Sequence, residues 1–397
     1  MSYDSLLFVT SEKPIFIYAE AAPVDDHVPA PGLYHASVPI LNSIADHIAG
    51  IALYPQDRRY GLAAVHPTLR PLCRRLPIFF SWARPLRKRF LPDDFENRAV
   101  AGIAGGWAKR SGASQILCLE GSDPEVLARV DALGRRARMP FSVYLVDDFA
   151  SAMRLQGHSE DAIAVTAARM HRSLSRAHRV FAITDELATL LHQQFGIVAT
   201  TLKLAFESRP APRDPRRDQI FFLGSINFLY LDALKTLLDI VSRLRKETQR
   251  KITVRFTHAA RTALDPLPDF VVAAPITDGN VLAKEIATSL FAFLPYTFEP
   301  DLRVMVETSF PSKSMEYLAY ARSIVVYAPR YSNSARFFHQ AGLTAVTDTP
   351  AGLELEMRRQ LAAPPDHALQ YKEYLAAEHS PATARRTLLS SLLDGRS

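Results

Sequence analysis

The sequence contains almost no cysteine. Cys73 and Cys118 are the only two in 397 residues, and they lie far apart along the chain. So few thiols exclude a disulfide framework and a cysteine-based zinc site. The chain also has no apolar run long enough to cross a bilayer, and residues 1–10 lack the basic-then-apolar layout of a secretion signal. These absences predict a cytoplasmic protein with two reduced thiols.

Acidic residues are missing from one long stretch. Residues 58–92 contain no Asp or Glu and nine basic side chains, which are Arg58, Arg59, Arg70, Arg74, Arg75, Arg84, Arg87, Lys88 and Arg89. Because the whole chain carries a net charge of +6, this stretch contributes +9 and the remainder −3. The excess positive charge is therefore one patch and not a general basicity.

The end of this stretch forms a basic patch of Arg84, Arg87, Lys88 and Arg89. Aromatic side chains lie close before it, and such a mixture is typical of segments that bind anionic membranes. We expect the basic patch to serve an acceptor held in an anionic membrane, at the inner face; a solvated basic loop is the alternative. Since no nucleic-acid module accompanies the charge, nucleic acid is not expected as a partner.

Short apolar strands alternate with helical patterns along almost the whole chain. This alternation predicts an α/β fold with parallel sheets covered by helices on both faces. Strands are predicted at residues 5–10, 51–54, 115–119, 141–146, 180–183 and 198–202, and a second series at 220–223, 252–256, 270–273, 290–294 and 324–327. Helices are predicted at residues 159–176, 231–246, 281–288, 311–320 and 334–340, and one that begins at Thr184.

The length of the chain predicts two domains. Residues 208–217 hold three prolines among charges and have no periodicity, as a linker does. We expect two Rossmann-like doubly wound domains facing each other across a cleft: an acceptor-binding domain over residues 1–207 and a donor-binding domain over 208–370. The last segment, 371–397, is expected to be a helix that packs back toward the first domain.

Residues 309–316, which read SFPSKSME, contain the strongest local pattern. Pro311 is suited to a first helical turn, and Lys313 falls inside that turn. A cation is unfavourable there because the positive end of the helix dipole is close, and a bound anion reverses this penalty. Amide hydrogens, the Ser312 hydroxyl and the Lys313 ammonium together describe a phosphate cradle, and Glu316 could accept hydrogen bonds from sugar hydroxyls. Exposed surface positions for Lys313 and Glu316 are the alternatives.

The stretch SFPSKSMEYLAYARSIVVYAP, together with residues 332–338 (SNSARFF), resembles the C-terminal signature of family-four GT-B glycosyltransferases. A second stretch, FFLGSINFLYLDALKTLL at residues 221–238, resembles the opening strand, glycine turn and helix of the same domain. The resemblance implies that Gly224 and Ser225 approach a donor diphosphate. It also implies that the segment containing Ser309, Phe310, Ser312 and Lys313 binds that diphosphate, that Glu316 binds the nucleotide ribose, and that no metal or other cofactor is needed.

Some positions depart from the family pattern. Many members have a Glu eight residues before the helix glutamate, where this chain has Thr308, and many carry Arg and Lys after the glycine turn, where this chain has Ser225 and uncharged residues. We therefore expect Arg303 or Arg336 to assist Lys313. The familiar glycine-rich loop after the first strand is also missing, and Glu12, Lys13 and Pro14 stand there instead.

Asp147 and Asp148 follow a predicted strand at its carboxyl end. A pair of carboxylates there could orient an acceptor hydroxyl, act as a base or bind a metal; a helix cap is the alternative. His258, after another strand, is a reserve candidate that fits an ordinary histidine as well.

These features predict a glycosyltransferase of the hexosyltransferase class, with retention of the anomeric configuration implied by the resemblance. It would move a sugar from a nucleotide-sugar to a saccharide or lipid-linked saccharide, in the synthesis of surface polysaccharides or glycoconjugates. The alternatives are a nucleotide-sugar-binding partner without activity, a nucleotide-sugar epimerase or phosphorylase of the same architecture, and a membrane adaptor.

Overall fold

The structure is a computed structural model that describes residues 14–19, 32–53, 73–75, 95–119, 124–155, 157–207, 214–257 and 264–393. It forms two compact units. Within the described ranges, the first unit comprises residues 14–19, 33–203 and 384–393, and the second comprises Gly32 and residues 204–383. None of the described helices is long and apolar enough to cross a bilayer.

The first unit is built on a seven-stranded sheet. Its strands are β1 (Ile15–Ala19), β2 (Ile48–Leu53), β3 (Cys73–Arg75), β4 (Gln115–Leu119), β5 (Phe141–Leu145), β6 (Arg179–Ala182) and β7 (Thr200–Thr201). They lie in the order β3-β2-β1-β4-β5-β6-β7, and neighbouring strands are parallel. Strands β1, β4 and β5 are buried along their whole length, as expected for a parallel sheet covered on both faces.

Helices connect these strands. They are α1 (Gly32–Ser43), α2 (Phe95–Arg110), α3 (Pro124–Ala137), α4 (Phe149–Leu155), α5 (Glu160–Leu174) and α6 (Asp185–Phe195), with a short 3₁₀ turn at Ala45–His47. The predicted start of α6 is confirmed: the Thr184 hydroxyl accepts a hydrogen bond from the Leu187 amide at 3.1 Å. Gly196, in the left-handed conformation, ends this helix.

The second unit contains a six-stranded sheet. Its strands are β8 (Gln219–Phe222), β9 (Thr253–Phe256), β10 (Val271–Ala273), β11 (Phe291–Pro295), β12 (Ile324–Tyr327) and β13 (Val346–Thr347). All the pairs are parallel, in the order β10-β9-β8-β11-β12-β13. This order builds outward in both directions from β8 and β11, as in a Rossmann sheet, so the predicted α/β fold with two doubly wound domains is confirmed.

The helices of the second unit are α7 (Leu231–Thr248), α8 (Gly279–Thr288), α9 (Arg303–Thr308), α10 (Lys313–Tyr320), α11 (Asn333–Gln340), α12 (Pro350–Ala362) and α13 (Ala368–Glu378), with a 3₁₀ turn at Pro300–Leu302. Helix α7 has an apolar stripe of four buried residues, which are Leu234, Leu237, Leu238 and Val241. This stripe packs α7 against the sheet.

The last helix, α14 (Pro381–Leu393), contributes its residues from 384 onward to the first unit. The Arg385 guanidinium pairs with Asp46 at 2.5 and 2.7 Å, and Arg179 donates to the Ser391 carbonyl at 2.9 Å. The hydrogen bonds from Arg385 hold the pKa of Asp46 well below its usual range. The two parts of the first unit, distant in sequence, are thus joined by charged hydrogen bonds.

Several details differ from the sequence predictions, among them strands β3 and β13, which were not predicted. Helix α9 was not predicted, and α10 begins at Lys313, two residues later than expected, because Pro311 and Ser312 form a turn before it. The sequence prediction placed Glu12, Lys13 and Pro14 after the first strand, whereas they precede β1 in the sequence. Pro14 directly precedes β1, an interior strand of the sheet. The residues that follow β1 from position 20, and the strand predicted at residues 5–10, lie outside the described residues.

Candidate functional site

The strand order of the second sheet marks one place for a ligand. Open α/β sheets bind ligands outside the carboxyl ends of their strands, where the strand order reverses. Here that point lies between β8 and β11. The chain that leaves β8 forms a turn over residues 223–230, which we call the glycine turn, and the chain that leaves β11 leads to residues 309–316. The two stretches singled out in the sequence therefore meet at the same end of the sheet.

The glycine turn is fixed at its start by two hydrogen bonds. The Leu223 amide donates to the Tyr317 hydroxyl at 2.8 Å, and the Gly224 amide donates to the Thr257 hydroxyl at 2.9 Å. Gly224 has φ +104°, a conformation that side chains with a Cβ rarely adopt. A Cβ placed on Gly224 would lie 3.6 Å from Nζ of Lys313. The structure thus brings together Gly224 and Lys313, which lie far apart in the sequence.

Lys313 is the first residue of α10 and is buried, with 7% of its surface exposed. Its Nζ has no hydrogen-bond partner among the described residues. Instead it lies over two aromatic faces, 3.7 Å from the ring centre of Tyr230 and 4.2 Å from that of Phe222. A buried ammonium normally has a carboxylate or several acceptors around it. Here two ring faces take that place, and among the described residues no acceptor is hydrogen-bonded to Nζ.

Burial lowers the pKa of Lys313 to about 7, and the nearby Glu316 carboxylate opposes this shift. Removing water from around an ammonium disfavours its charged form, and two aromatic rings compensate for only part of that loss. An anion brought next to Nζ would restore the proton and the charge. The amine is therefore suited to an anionic ligand.

Glu316 lies one turn further along α10, so both side chains lie on the same face of that helix. It is also buried, and its Oε2 atom has no hydrogen-bond partner among the described residues. Burial raises the pKa of Glu316 to about 7, while a backbone hydrogen bond and the Lys313 charge lower it. A carboxylate with an unused oxygen could accept hydrogen bonds from hydroxyl groups of a ligand.

The residues before Lys313 hold it in place. The Ser309 carbonyl accepts a hydrogen bond from the Tyr296 hydroxyl at 3.4 Å. The Phe310 ring packs edge-on against Phe337 with centres 4.9 Å apart and lies parallel to the His379 ring at 6.3 Å. Ser309 and Phe310 therefore fix the path of the chain into α10.

The turn that opens α10 uses some of the amides expected to face a ligand. The Ser314 amide donates to the Pro311 carbonyl at 2.9 Å, and the Met315 amide donates to the Ser312 carbonyl at 3.0 Å. Ser312 makes no side-chain cap hydrogen bond. The part of the phosphate cradle left for a ligand is thus the Ser312 hydroxyl and the Lys313 amine, with the amides nearest to them.

Arg303 and Arg336 have other contacts. Arg303 is exposed, pairs with Glu307 at 2.8 Å and lies over the Tyr331 ring at 4.6 Å. Arg336 donates to the backbone carbonyls of Glu307 and Tyr331. Both guanidinium groups thus organise the region around α9 and α11. Ser225 is exposed, beyond the tightly held start of the glycine turn.

The two aspartates of the first unit differ in their surroundings. Asp147 is exposed, whereas Asp148 is buried. The Asp148 carboxylate accepts hydrogen bonds from the Ser151 amide at 2.9 Å and the Ser151 hydroxyl at 2.6 Å. These bonds cap the first turn of α4. The structure therefore gives Asp148 the helix-cap role that was its alternative reading.

We expect Asp148→Ala to lower the free energy of unfolding by about 1–2 kcal/mol, because α4 loses its cap. Asp148→Asn should retain most of the stability, since an asparagine oxygen can accept the same two hydrogen bonds. Chemical denaturation of both variants measures this. An Asn variant as unstable as the Ala variant would show that the negative charge of Asp148, and not the cap, is what the fold requires.

Gly224→Ala should lower the free energy of unfolding by about 1–3 kcal/mol, because the added Cβ forces φ +104° on a side chain that avoids it. Gly102→Ala is the matched control: Gly102 lies inside α2, and an added Cβ there meets nothing within 4 Å. That control should gain about 0.5–1 kcal/mol from helix propensity. Equal effects of the two changes in a denaturation experiment would contradict a special conformation at Gly224.

Three residues of this site were not found from the sequence: Phe222, Tyr230 and Tyr317. Tyr317 bridges the site, since its hydroxyl accepts from the Leu223 amide and donates to the Phe293 carbonyl at 3.2 Å. The available signal was position: one ring ends β8, one directly precedes α7, and one follows Glu316 on α10. Each also suits a hydrophobic core, so the sequence did not separate them from packing residues.

Some predicted features lie outside the described residues. These are the basic patch of Arg84, Arg87, Lys88 and Arg89, and the reserve candidate His258. Within the part of the chain that the structure describes, no group of three or more His, Cys, Asp or Glu side chains is arranged to hold a metal ion.

No protein-family model matches the chain, and a search of curated proteins finds no relative by sequence. Solved structures do match it over nearly its whole length. Sucrose-phosphate synthase from Thermosynechococcus elongatus has a TM-score of 0.69 at 15% identity and covers 97% of this chain and 100% of its own. Anabaena HepE, solved with UDP and glucose, has a TM-score of 0.63 at 11% identity, with 96% and 100% covered.

The lipopolysaccharide outer core galactosyltransferase WaaB has a TM-score of 0.57 at 11% identity and covers 96% of this chain and 99% of its own. At such low identity these matches establish the fold and not the activity. The two-unit architecture of parallel sheets is thus the one that these enzymes share.

Proposed function

We propose that this chain, which has the GT-B fold of glycosyltransferases, transfers a sugar from a nucleotide-sugar to a saccharide or lipid-linked saccharide, with retention of the anomeric configuration. We place the nucleotide-sugar donor at the end of the second sheet, against Gly224, Lys313 and Glu316. Its products would be surface polysaccharides or glycoconjugates made at the cytoplasmic face of a membrane.

One observation carries this proposal. Lys313 is buried with no hydrogen-bond partner for its amine among the described residues, beside a glycine in a conformation that keeps the backbone close. A charge buried without an acceptor destabilises the free protein, and an anionic ligand would supply the acceptor that the Lys313 ammonium lacks. The position at the reversal of strand order is where such folds bind nucleotides.

The chemistry follows from the charges. When the bond between the anomeric carbon and the diphosphate breaks, negative charge grows on the leaving phosphate. The Lys313 ammonium and the Ser312 hydroxyl would stabilise that charge in surroundings from which water is largely excluded. Glu316 would hold the ribose hydroxyls of the nucleotide, which orients the diphosphate toward Lys313. We propose no metal for this step.

The acceptor side is proposed from the sequence. The stretch at residues 58–92 carries nine basic side chains and no acidic ones. An anionic membrane would attract this stretch, and the basic patch within it would bring the enzyme to a lipid-linked acceptor. Sedimentation with liposomes tests this: binding should require anionic lipid and fall as salt increases. Binding that is indifferent to both would contradict a membrane role.

The central test is a panel of nucleoside diphosphates and nucleotide-sugars, followed by thermal unfolding. A ligand at a hundred times its dissociation constant should stabilise the protein by about 2.7 kcal/mol, which raises the melting temperature by several degrees. If no nucleotide stabilises the protein, the proposal fails. Equal affinity for the ribose and 2′-deoxyribose forms of the best nucleotide would contradict the role given to Glu316.

A second candidate is a protein that binds the donor without turning it over. Two contacts favour it: the Asp148 carboxylate is used as a helix cap, and the Thr308 hydroxyl, where an acid is common in the resembled family, donates to the Val304 carbonyl at 2.9 Å. Incubation with the bound nucleotide-sugar separates the candidates. Transfer or slow hydrolysis of the donor excludes the inactive partner, and conversion of the sugar without an acceptor identifies an epimerase.

A further inference from the structure

Tyr230 stands where the glycine turn ends and α7 begins. Its amide donates to the Asn227 carbonyl at 3.0 Å, so the backbone position of the ring is set by the turn itself. Its ring lies parallel to Tyr296 with centres 5.9 Å apart and meets the edge of Phe222 at 5.6 Å. Both its backbone and its ring are therefore held before any ligand arrives.

The Tyr230 ring lies closer to the Lys313 amine than the Phe222 ring does. Nζ lies 3.7 Å from the Tyr230 centre and 4.2 Å from the Phe222 centre, without a hydrogen-bond partner in the described residues. A cation over an aromatic face is held by the negative charge of that face, most strongly where water is excluded. The attraction does not bind the hydrogens of the ammonium, so they remain able to donate to another group.

We propose that Tyr230 is a positioning residue of this site: its ring, with that of Phe222, holds the Lys313 ammonium beside Gly224 until a phosphate of the ligand accepts its hydrogens. A carboxylate in the same place would neutralise the lysine and compete with the phosphate. A ring face stabilises the charge without competing for hydrogen bonds. The role of the two rings in presenting Lys313 to a phosphate rests on the proposed nucleotide-sugar activity. The effect of the Tyr230 ring on the Lys313 ammonium can be measured without any nucleotide.

Among the residues that the structure describes, few titratable groups face the amine. Glu316 lies on the same helix, Tyr317 is on that helix with its hydroxyl bonded to Leu223 and Phe293, and Tyr230 comes from the start of α7. Glu316 favours the charged lysine, and burial disfavours it. Removing the Tyr230 ring can therefore act in two opposite ways. Loss of the ring face disfavours the ammonium, whereas entry of water favours it.

The experiment follows the proton on Lys313 directly. The protein is labelled with ¹³C at the lysine ε carbons, Lys313 is identified by the signal that disappears in Lys313→Met, and its titration is followed by NMR without nucleotide. In Tyr230→Leu we expect the pKa of Lys313 to fall by about one unit relative to the wild type. In Tyr230→Phe, which keeps the ring, it should change little.

Two further variants exclude a general packing effect. Phe298→Leu removes an aromatic ring of the same unit, one that packs against Tyr327 with centres 4.9 Å apart, and should leave the Lys313 titration nearly unchanged. Placing fluorinated phenylalanines at position 230 keeps the shape of the ring while reducing the negative charge of its face. The pKa of Lys313 should then fall step by step with each added fluorine. This series answers the question even if Tyr230→Leu does not fold.

A rise in the pKa of Lys313 in Tyr230→Leu would overturn the proposal, because the ring would then act only by excluding water. An unchanged pKa across the fluorinated series would overturn it as well. The nucleotide affinity at pH 8 should fall about tenfold in Tyr230→Leu, as the protonated fraction does. If the titrations agree with the proposal and no nucleotide binds the wild type, the proposed function fails while the role of Tyr230 stands.

Discussion

Lys313→Met is expected to weaken the binding of a nucleoside diphosphate by about a hundredfold and, at pH 6, to raise the free energy of unfolding by about 1–4 kcal/mol. Methionine has a similar length and no charge. The variant therefore removes the partner of the phosphate and, in the same change, the cost of burying an ammonium without an acceptor. A gain in stability with a loss of binding is typical of functional groups that the fold tolerates at a cost.

The pH dependence of this gain has a defined sign. Burial lowers the pKa of Lys313 from 10.5 to about 7 in the folded protein. Between these values the unfolded chain binds the proton more readily, so the wild type becomes more stable as the pH rises through this range. The penalty is complete below about pH 7 and absent above 10.5. The stability advantage of Lys313→Met should accordingly shrink as the pH rises.

Lys284→Met is the matched control. Lys284 is half-exposed and pairs with Asp214 at 2.9 Å in the same unit. Its replacement should change stability by no more than about 0.5 kcal/mol and leave nucleotide binding unaltered. Calorimetric titration and urea unfolding of the three proteins provide the comparison. If Lys313→Met is destabilised like an ordinary core variant, the buried ammonium does not lower the stability of the free protein. The proposed anion site would then lose its main support.

The affinity for UDP, or for whichever nucleoside diphosphate binds best, should fall by about tenfold for each pH unit above 7, and so by about a hundredfold between pH 7 and 9. The bound phosphate restores the proton on Lys313, so binding takes up a proton wherever the free protein has lost it. Below pH 7 the amine is already charged and this dependence ends. Titrations in buffers of different ionisation enthalpy measure the proton taken up.

Two variants show which group causes this slope. In Lys313→Met the affinity should be low and almost independent of pH between 7 and 9. In Glu316→Gln the carboxylate no longer raises the pKa of Lys313, so the fall should begin at a lower pH than in the wild type. If the affinity of Lys313→Met still falls as the pH rises, the proton taken up on binding goes to another group.

The place of Lys313 could be predicted from the sequence, but its partners could not. A proline two residues before it located the start of the helix to within two residues, and a cation in the first turn already indicated an anion. Gly224 and Lys313 were both chosen from local patterns. Nζ of Lys313 lies 3.6 Å from where a Cβ on Gly224 would stand, and this closeness depends on the order of strands β8 and β11, which a local pattern does not contain.

Other residues could not be assigned because their roles depend on contacts distant in sequence. Tyr230 has the same local signature whether its ring fills the core or lies under an amine. Arg303 stands close before the donor segment, yet its guanidinium pairs with Glu307, four residues along the same helix. The Asp148 carboxylate could serve as a cap or as a reactive group from its place after a strand. The hydrogen bonds from the Ser151 amide at 2.9 Å and the Ser151 hydroxyl at 2.6 Å distinguish the two roles.

The arrangement of α14 affects how the chain is made. The first unit needs residues 384–393, which bond to Asp46 and Arg179, yet the second unit lies between them and residue 203. At typical rates of synthesis these about 190 residues take roughly 10–40 s to emerge. During that time the first unit is without residues 384–393 of α14. Residues 204–383 of the second unit emerge before residues 384–393, so the second unit can complete its folding before the first unit does.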